Sequence, residues 1–368
     1  MPVGDNGAVP TFERRLDARL VIAVVAVGIT SFAGVVVETA MNIAFPALMK
    51  EFGVSTSTVQ WITTGYLLVL ATIMPVSSFL HRRLRTRTLF ALAMAAFLTG
   101  TVMCAAAPHF SLLVLGRLVQ GVGTGIALPL MFNMVLEQVP LEHLGTMMGV
   151  ATLITAVAPA VGPSFGGYLI GALGWRSVFI VLLPFLVIAA VLGLLTIRQA
   201  TRPRSDAVFS PLQFLVMAAG FTALVLATNA AGQTGRTSPR VLGLLALALV
   251  LVAAFCVLSS RSERPLIRIR IFADRTYTLS VVYVVLIQAV VLALGYLIPY
   301  YAQVSASMGS FAAGCLLLPG CVLGACLTPL GGRVLDRLGP ARPILAGAVC
   351  GVLAMALFAA VGVDVPAP

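Results

Sequence analysis

Eleven long apolar stretches dominate this 368-residue sequence, and they constrain its fold more than any other feature. A helix needs about 20 predominantly apolar residues to cross the hydrocarbon core of a bilayer, which is roughly 30 Å thick. Hydrophobic residues make up 60% of the chain and charged residues 10%, far from the averages of soluble domains. We therefore predict an all-α integral membrane protein. The approximate limits of the predicted spans are Leu20–Phe45, Val59–Leu80, Thr88–Ala107, Phe110–Val135, Gly145–Leu173, Trp175–Ile197, Pro211–Ala231, Val241–Ser259, Thr276–Tyr300, Ser310–Leu330 and Pro343–Val363.

The basic residues predict the orientation of these spans. Eighteen of the 23 Lys and Arg residues lie in the N-terminal segment or in the connections after the second, sixth, eighth and tenth spans. Short cytoplasmic loops collect Lys and Arg, so we expect a multi-pass protein of the plasma membrane with a cytoplasmic N-terminus. A net charge of +11 could also suggest a nucleic-acid partner. The interleaving of basic clusters with spans favours topology and contact with anionic membrane lipids instead, and we expect no nucleic-acid binding.

Polar breaks divide the chain into four predicted segments. Residues 1–19 form a cytoplasmic N-terminal segment, and 20–197 a six-helix bundle that ends before the polar run Arg198–Asp206. Residues 198–275 are a linker with two further spans. It ends in a basic stretch, Arg261–Arg275, whose Arg, Ile and Phe alternation suits an amphipathic segment on the cytoplasmic membrane surface. Residues 276–368 form a group of three spans.

Two charged residues fall inside predicted spans. Glu38 stands in the first span, where an ionised acid costs roughly 2.5–3.5 kcal/mol and is usually retained for function. Alternatively, Glu38 is a structural acid that is protonated or paired with a neighbouring helix. Arg117 in the fourth span either serves a cavity or extends its cation to the membrane surface. Gln120, one helical turn away, either shares the face of Arg117 or makes a structural hydrogen bond between helices.

Motifs in the same part of the chain resemble those of a known family. The fourth span reads Gly116-Arg117-Leu-Val-Gln120-Gly121-Val-Gly123, and the fifth carries Gly149 and then Gly162-Pro163-Ser-Phe-Gly166-Gly167. Trp175, Arg176 and Phe179 follow. These motifs resemble those of the major facilitator superfamily, and within it the fourteen-helix drug:proton antiporter family. The glycines also suit close packing of any membrane helices, and Pro163 suits a helix that bends during transport.

Two further motifs extend the resemblance. Glu38, Asn42, Ala44 and Pro46 resemble the family's first-helix signature, with glutamate in place of aspartate. The family's cytoplasmic loop motif is intact in Gly332-Arg-Val-Leu-Asp336-Arg337-Leu-Gly339 but reduced in Phe79–Arg87, which has no glycine or aspartate. The resemblance implies that Asp336 and Arg337 act as a cytoplasmic hinge and latch.

The resemblance implies a major facilitator fold and a proton-driven exporter of amphipathic or drug-like small molecules that works by alternating access. Glu38, Arg117 and Gln120 would couple proton and substrate, with Met41, Met131 and Phe132 as candidate lining residues. The partners would be the substrate, protons and membrane lipids. We expect no metal or other cofactor, and the oligomeric state stays open.

Three alternatives remain. The first is a non-transporting paralogue or an assembly or regulatory subunit, and the second is a lipid or glycolipid exporter. An intramembrane enzyme is disfavoured because Glu38 and Arg117 are too few for the acid, base and nucleophile roles. The family has six helices in its second bundle and this chain three, so we expect the sequence to be a fragment of a longer gene product.

Overall fold

The protein is a bundle of long helices. The computed structural model describes residues 17–199, 209–234, 238–262, 265–304 and 316–361, and within these ranges there is no strand. Eleven helices of 20 to 35 residues follow one another. They are α1 (Ala18–Phe52), α2 (Trp61–Arg83, preceded by the single turn Thr56–Val59), α3 (Thr86–Ala105), α4 (Phe110–Gln138), α5 (Leu144–Leu173), α6 (Arg176–Thr196), α7 (Pro211–Thr234), α8 (Pro239–Arg261), α9 (Arg275–Val304), α10 (Leu318–Leu338) and α11 (Ala341–Val361).

The described helices confirm an all-α membrane architecture. Nine helical segments among the described residues are long and apolar enough to cross a membrane, while α9 and α11 show shorter apolar stretches, Arg275–Val291 and Ala341–Leu357. Since lipid offers no hydrogen bonds, a spanning backbone must satisfy its own N–H and C=O groups, which a helix does. The division into four segments stays a prediction. Residues 1–16, 200–208, Ser310 and Val363 lie outside the described residues.

The predicted end of the tenth span was wrong by about two turns. We predicted Ser310–Leu330 followed by a loop, but α10 runs to Leu338, so most of the cytoplasmic loop motif is helical. The apolar residues Val334, Leu335 and Leu338 continue the helix through the charged residues. It ends only at Gly339, whose φ of 74° lies in the left-handed region that favours glycine.

Helix α1 is the centre of the first bundle. It packs against α4, α5 and α6, and α2, α3 and α4 close the bundle through α2–α4, α3–α4 and α3–α6 contacts. Small residues on α1, among them Gly28, Gly34 and Ala40, are fully covered. In lipid there is no hydrophobic force between helices, so close approach through small residues supplies the packing energy. At 35 residues, or about 52 Å, α1 also extends beyond the hydrocarbon core.

The start of α1 and the end of α6 are tied together. Asp17 caps α1 by accepting a hydrogen bond from the Leu20 N–H at 2.8 Å and pairs with Arg198 at 2.8 Å. These two contacts hold the pKa of Asp17 below its ordinary value. Arg19 in turn donates to the carbonyl oxygens of Leu195 and Thr196 at the end of α6.

Helices α7 and α8 form a hairpin that reaches the first bundle through α2. The basic stretch that follows is only partly the surface segment that we predicted. Its first part is anchored, because the Leu266 N–H donates to Gln213 Oε1 at 2.9 Å and Ser259 Oγ donates to the Ile267 carbonyl at 2.5 Å. The 3₁₀ turn Ile269–Ala273 then leaves Ile271 and Phe272 exposed.

The last helices divide into two groups. Helix α10 packs extensively along α5, and α11 contacts α10. Within the described ranges, α9 packs against the preceding 3₁₀ turn, and its Tyr283 side chain lies beside Gly347 of α11. The link between the first six helices and the later ones therefore runs mainly through α5 and α10, with α2 and α7 as the other contact.

We expect Gly166→Leu to destabilise the protein by about 1–3 kcal/mol, because a side chain at position 166 would collide with Ala40 of α1. Gly171→Leu is the matched control, since Gly171 lies on the same helix and faces open space. The thermal unfolding midpoint in detergent should fall for the first variant and hold for the second. Equal shifts for both variants would show that α1–α5 contact is not what limits stability.

Candidate functional site

A polar cluster lies inside the first bundle, where α2, α3 and α4 meet. Arg117 is completely buried, and its Nη1 donates to Gln120 Oε1 at 2.8 Å. Gln120 Nε2 donates to Thr101 Oγ1 at 2.8 Å, and Thr101 donates to the Phe97 carbonyl at 2.7 Å. The chain of hydrogen bonds fixes the side chains of Arg117 and Gln120 in one orientation. The structure thus joins two residues that the sequence placed one turn apart.

The second helix completes the surroundings of Arg117. Arg117 Nε donates to the Ile62 carbonyl at 3.3 Å, and the guanidinium lies over the Tyr66 ring, 4.1 Å from its centroid. A cation above an aromatic face is attracted by the ring quadrupole, most strongly where water is absent. Arg117 is completely buried inside the bundle, so the alternative that its cation extends to the membrane surface is wrong.

One polar atom of this cluster has no hydrogen-bond partner among the described residues. It is Arg117 Nη2, which is fully buried. The Tyr66 hydroxyl lies beside the Thr124 hydroxyl and interacts with it. Gly34 of α1 faces both hydroxyls so closely that a side chain at position 34 would collide with them. A buried polar atom without a partner costs about 1–3 kcal/mol, which makes Arg117 Nη2 a candidate for a partner in another conformation.

Glu38 lies one turn beyond Gly34 on α1 and is half-buried. Among the described residues its carboxylate forms no hydrogen bond and no salt bridge with any neighbour, yet it is near enough to Arg117 for the two charges to interact. Asn42 and Pro46 lie four and eight residues after Glu38, and both are exposed. Asn42 accepts a hydrogen bond from Thr63 at 2.9 Å. This face of α1 is therefore its open, polar face.

The glycines of α5 pack against the turn of α1 that carries Glu38. Gly162 adjoins Val36 and Thr39, and Gly166 adjoins Ala40, so closely that any side chain would collide. Helix α5 stays helical through Pro159 and Pro163. Gly149 is buried, whereas Gly167 and Pro163 are partly exposed. Among the motif glycines of α5, Gly162 and Gly166 therefore make the close contact with α1.

Asp336 joins the end of α10 to the start of α5. Its carboxylate accepts hydrogen bonds from the Gly145 N–H at 2.6 Å, the Thr146 N–H at 2.9 Å and the Thr146 hydroxyl at 2.8 Å. Gly332 touches Gly145 at the same crossing, where a side chain would collide with the backbone. A carboxylate at a helix N-terminus satisfies free N–H groups and is attracted by the helix dipole.

Arg337 plays no part in this contact. It is exposed, and no hydrogen bond or ion pair of its side chain occurs in the described part of the chain. Of the four predicted gating residues, Asp336 makes the contact, Gly332 permits the close crossing and Gly339 ends the helix.

A third contact lies at the opposite end of the bundle. Glu51 accepts hydrogen bonds from Trp175 Nε1 and Arg176 Nη1, each at 2.7 Å. Arg176 also donates to the Ala107 carbonyl at 2.8 Å. The Trp-Arg pair after α5 therefore ties α1, α3 and α6 together.

Some residues of these clusters were missed from the sequence. Tyr66, Thr101 and Thr124 are single polar residues in apolar spans, and only their positions in three dimensions distinguish them from the many other Thr and Tyr residues. Glu51 stands near a predicted span end, where charge is ordinary. Conversely, Met41 and Met131 were wrong as lining residues, because both are completely buried in the hydrophobic core.

Comparison with known proteins identifies the family. The model of the Major Facilitator Superfamily matches residues 27–367 of this chain. The chain belongs to the major facilitator superfamily. The family consists of transporters rather than enzymes. The bound structure of the proton:xylose symporter XylE has a TM-score of 0.55 at 12% identity and covers 87% of this chain and 70% of that chain, which shows the fold alone.

Named relatives include drug-resistance members of the superfamily. Lincomycin resistance protein LmrB of Bacillus subtilis (strain 168) is 36% identical over 326 residues, covering 87% of this chain and 67% of LmrB. Multidrug resistance protein B homolog of Mycobacterium tuberculosis (strain H37Rv) is 31% identical over 352 residues, covering 95% of this chain and 65% of that protein. The uncharacterized MFS-type transporter YhcA of Bacillus subtilis is 33% identical over 335 residues, covering 91% of this chain and 63% of YhcA. The chain thus spans roughly two thirds of the length of these relatives.

We expect Gln120→Leu to destabilise the protein by about 2 kcal/mol, because it leaves Arg117 Nη1 buried without an acceptor. Gln60→Leu is the matched control, since Gln60 is exposed and makes no capping hydrogen bond with its side chain. Chemical or thermal unfolding of the purified chain measures the difference. A Gln120→Leu variant as stable as Gln60→Leu would contradict a structural role of the buried network.

We expect Asp336→Ala to speed amide exchange in residues 144–147 about five- to tenfold, because loss of a helix cap costs about 1 kcal/mol. Asp274→Ala is the matched control. Asp274 caps α9 by accepting from the Tyr277 N–H at 3.0 Å, a contact within one segment. Hydrogen–deuterium exchange should therefore change only near residues 275–278 in the control. Unchanged amide exchange at the start of α5 in Asp336→Ala would show that the Asp336 cap does not stabilise this end of the helix.

Proposed function

We propose that the protein is a proton-driven exporter of amphipathic, drug-like small molecules in the plasma membrane, working by alternating access with a cytoplasmic N-terminus. The observation that carries this proposal is the path of α5. The first N–H groups of α5 are capped by the carboxylate of Asp336 on α10. Farther along, Gly162 and Gly166 of α5 pack against the turn of α1 that carries Glu38.

Glu38 is suited to proton uptake and release. It is half-buried on the open face of α1 and lacks a partner within the described ranges, while the permanently charged Arg117 lies within electrostatic range. Protonation removes the negative charge of Glu38 and with it the attraction to Arg117. Arg117 Nη2, which has no partner in the described part of the chain, provides hydrogen-bonding capacity that a shift of Glu38 could satisfy.

A shift of the Glu38 turn would move α5, because Gly162 and Gly166 pack directly against Thr39 and Ala40 and leave no room for independent adjustment. Helix α5 would carry the movement to the Asp336 cap. Proton binding in the membrane would thereby loosen or tighten the cytoplasmic end. This connection is a physical basis for alternating access between two sides.

Export of drugs is supported by relatives whose names record lincomycin and multidrug resistance. A cation with an apolar body would be attracted to the ionised Glu38 and would compete with the proton. Orientation is supported by the basic residues, which cluster on the side where α2 ends and α3 begins. A lipid exporter is the same-class alternative.

We expect Glu38→Gln to reduce energy-dependent ethidium efflux to the level of cells without the protein, because glutamine cannot exchange a proton. Efflux from energised cells is measured with the chain itself and with a version extended to the full gene locus. Glu142→Gln is the matched control, an exposed carboxylate in the α4–α5 connection. An uncoupler of the proton gradient should abolish efflux in every active variant.

Export by Glu38→Gln at the unmodified rate would overturn proton coupling through Glu38. If neither version moves ethidium or lincomycin, while both insert and fold, the non-transporting paralogue or subunit becomes the better interpretation. Movement of fluorescent lipid in place of ethidium would favour the lipid exporter.

A further inference from the structure

A groove runs between α2 and the α7–α8 hairpin, outside the site described above. It consists of two adjoining cavities of about 320 Å³ and about 620 Å³ that share Asn229. On α2 and its preceding turn the lining extends from Ser57 to Ala71. At 1.5 Å per residue this is about 21 Å, close to half of a bilayer of roughly 40–45 Å. The groove therefore has the length of one lipid in one leaflet.

The groove is polar at one end and apolar along its length. The smaller cavity is lined at its mouth by Ser57, Thr58 and Arg240. Trp61, which lines the same cavity, is of the residue type enriched at the membrane–water interface. The larger cavity is lined mainly by Leu, Val, Ala and Phe side chains, among them Phe221 and Leu224.

The Thr228 hydroxyl, one of the few polar groups deep in the groove, is already satisfied. It donates within its own helix to the carbonyl oxygens of Leu224 and Val225, at 3.2 Å and 2.9 Å. The deep part is thus mainly apolar. An apolar chain fits it better than a polar solute does.

The charge at the mouth determines the kind of head group. Arg240 is exposed and forms no salt bridge in the part of the chain that the structure describes. Its side of the membrane has few basic residues, because the arginine-rich connections lie at the other end of the helices. A guanidinium binds phosphate oxygens in a bidentate manner, and the nearby Ser57 and Thr58 hydroxyls are further hydrogen-bonding groups.

We propose that this groove binds one anionic phospholipid from the leaflet opposite to the arginine-rich connections. The phosphate lies at Arg240, and an acyl chain lies between α2 and α7. The lipid would fill the space between the hairpin and the first bundle, so it would stabilise the contact of α7 with α2. This inference does not depend on export or on proton coupling.

Native mass spectrometry of the full chain in detergent tests the proposal, with phosphatidylglycerol and phosphatidylcholine as the probes. We expect Arg240→Gln to weaken binding of one phosphatidylglycerol about tenfold, as loss of a hydrogen bond to a charged group implies. Lys50→Gln is the matched control. Lys50 is an exposed cation near the end of α1, on the same side of the bundle as Arg240, and it lines neither cavity. Phosphatidylglycerol bound at the arginine-rich end should be equal in all variants, so the readout is the loss of one lipid.

A second pair of variants tests the acyl chain. Leu224→Trp fills the groove and should displace the same phosphatidylglycerol, whereas Leu249→Trp, on an exposed part of α8 outside both cavities, should not. Equal binding of both lipids, or equal effects of Arg240→Gln and Lys50→Gln, would overturn the proposal. Displacement of the lipid by inorganic phosphate at similar concentration would also overturn it, because the site would then recognise only an anion.

Discussion

The buried cation of Arg117 is the constraint on which the centre of the bundle depends. Its contacts are neutral: an amide oxygen of Gln120, the carbonyl of Ile62 and the ring of Tyr66. Neutral groups orient a guanidinium but cannot cancel its charge, which is expensive at membrane depth. The opposite charge lies farther off, on the half-buried Glu38. Such a separated pair is sensitive to any event that changes the charge or position of the acid.

Helix α5 connects this pair to the rest of the molecule because glycine occurs where it meets each partner. Gly162 and Gly166 bring its backbone against α1, and Gly145 brings it against Gly332 of α10. Such close contacts have little compliance, so under the proposed mechanism movement at one end would be transmitted to the other. Asp336 fixes the geometry of the α5–α10 contact, since its carboxylate accepts hydrogen bonds from the free N–H groups at the start of α5.

Much of the fold was predictable because the membrane restricts the possible structures. Apolar length predicted the order of the helices, and for most of them the limits to within a few residues. The limits failed at the end of α1, which continues through Pro46 to Phe52 instead of ending at Phe45, at α10 and in the basic stretch after α8. In the last two places charged residues were taken to end a structural element, whereas contacts with α5 and with Gln213 continue it. Charge at a span end indicates where water begins, not where the backbone changes conformation.

The sequence by itself determined the membrane architecture, the charged residues worth attention and the motifs that resemble those of the superfamily. It did so because lipid penalises every unsatisfied polar group, so both apolar runs and their exceptions are informative. Only the tertiary structure decided that Arg117 is supported by Tyr66 and Thr101, that Met41 and Met131 belong to the core, and that Asp336 caps α5. These pairings join residues on different helices, and separation along the chain carries no signal of which helix faces will meet.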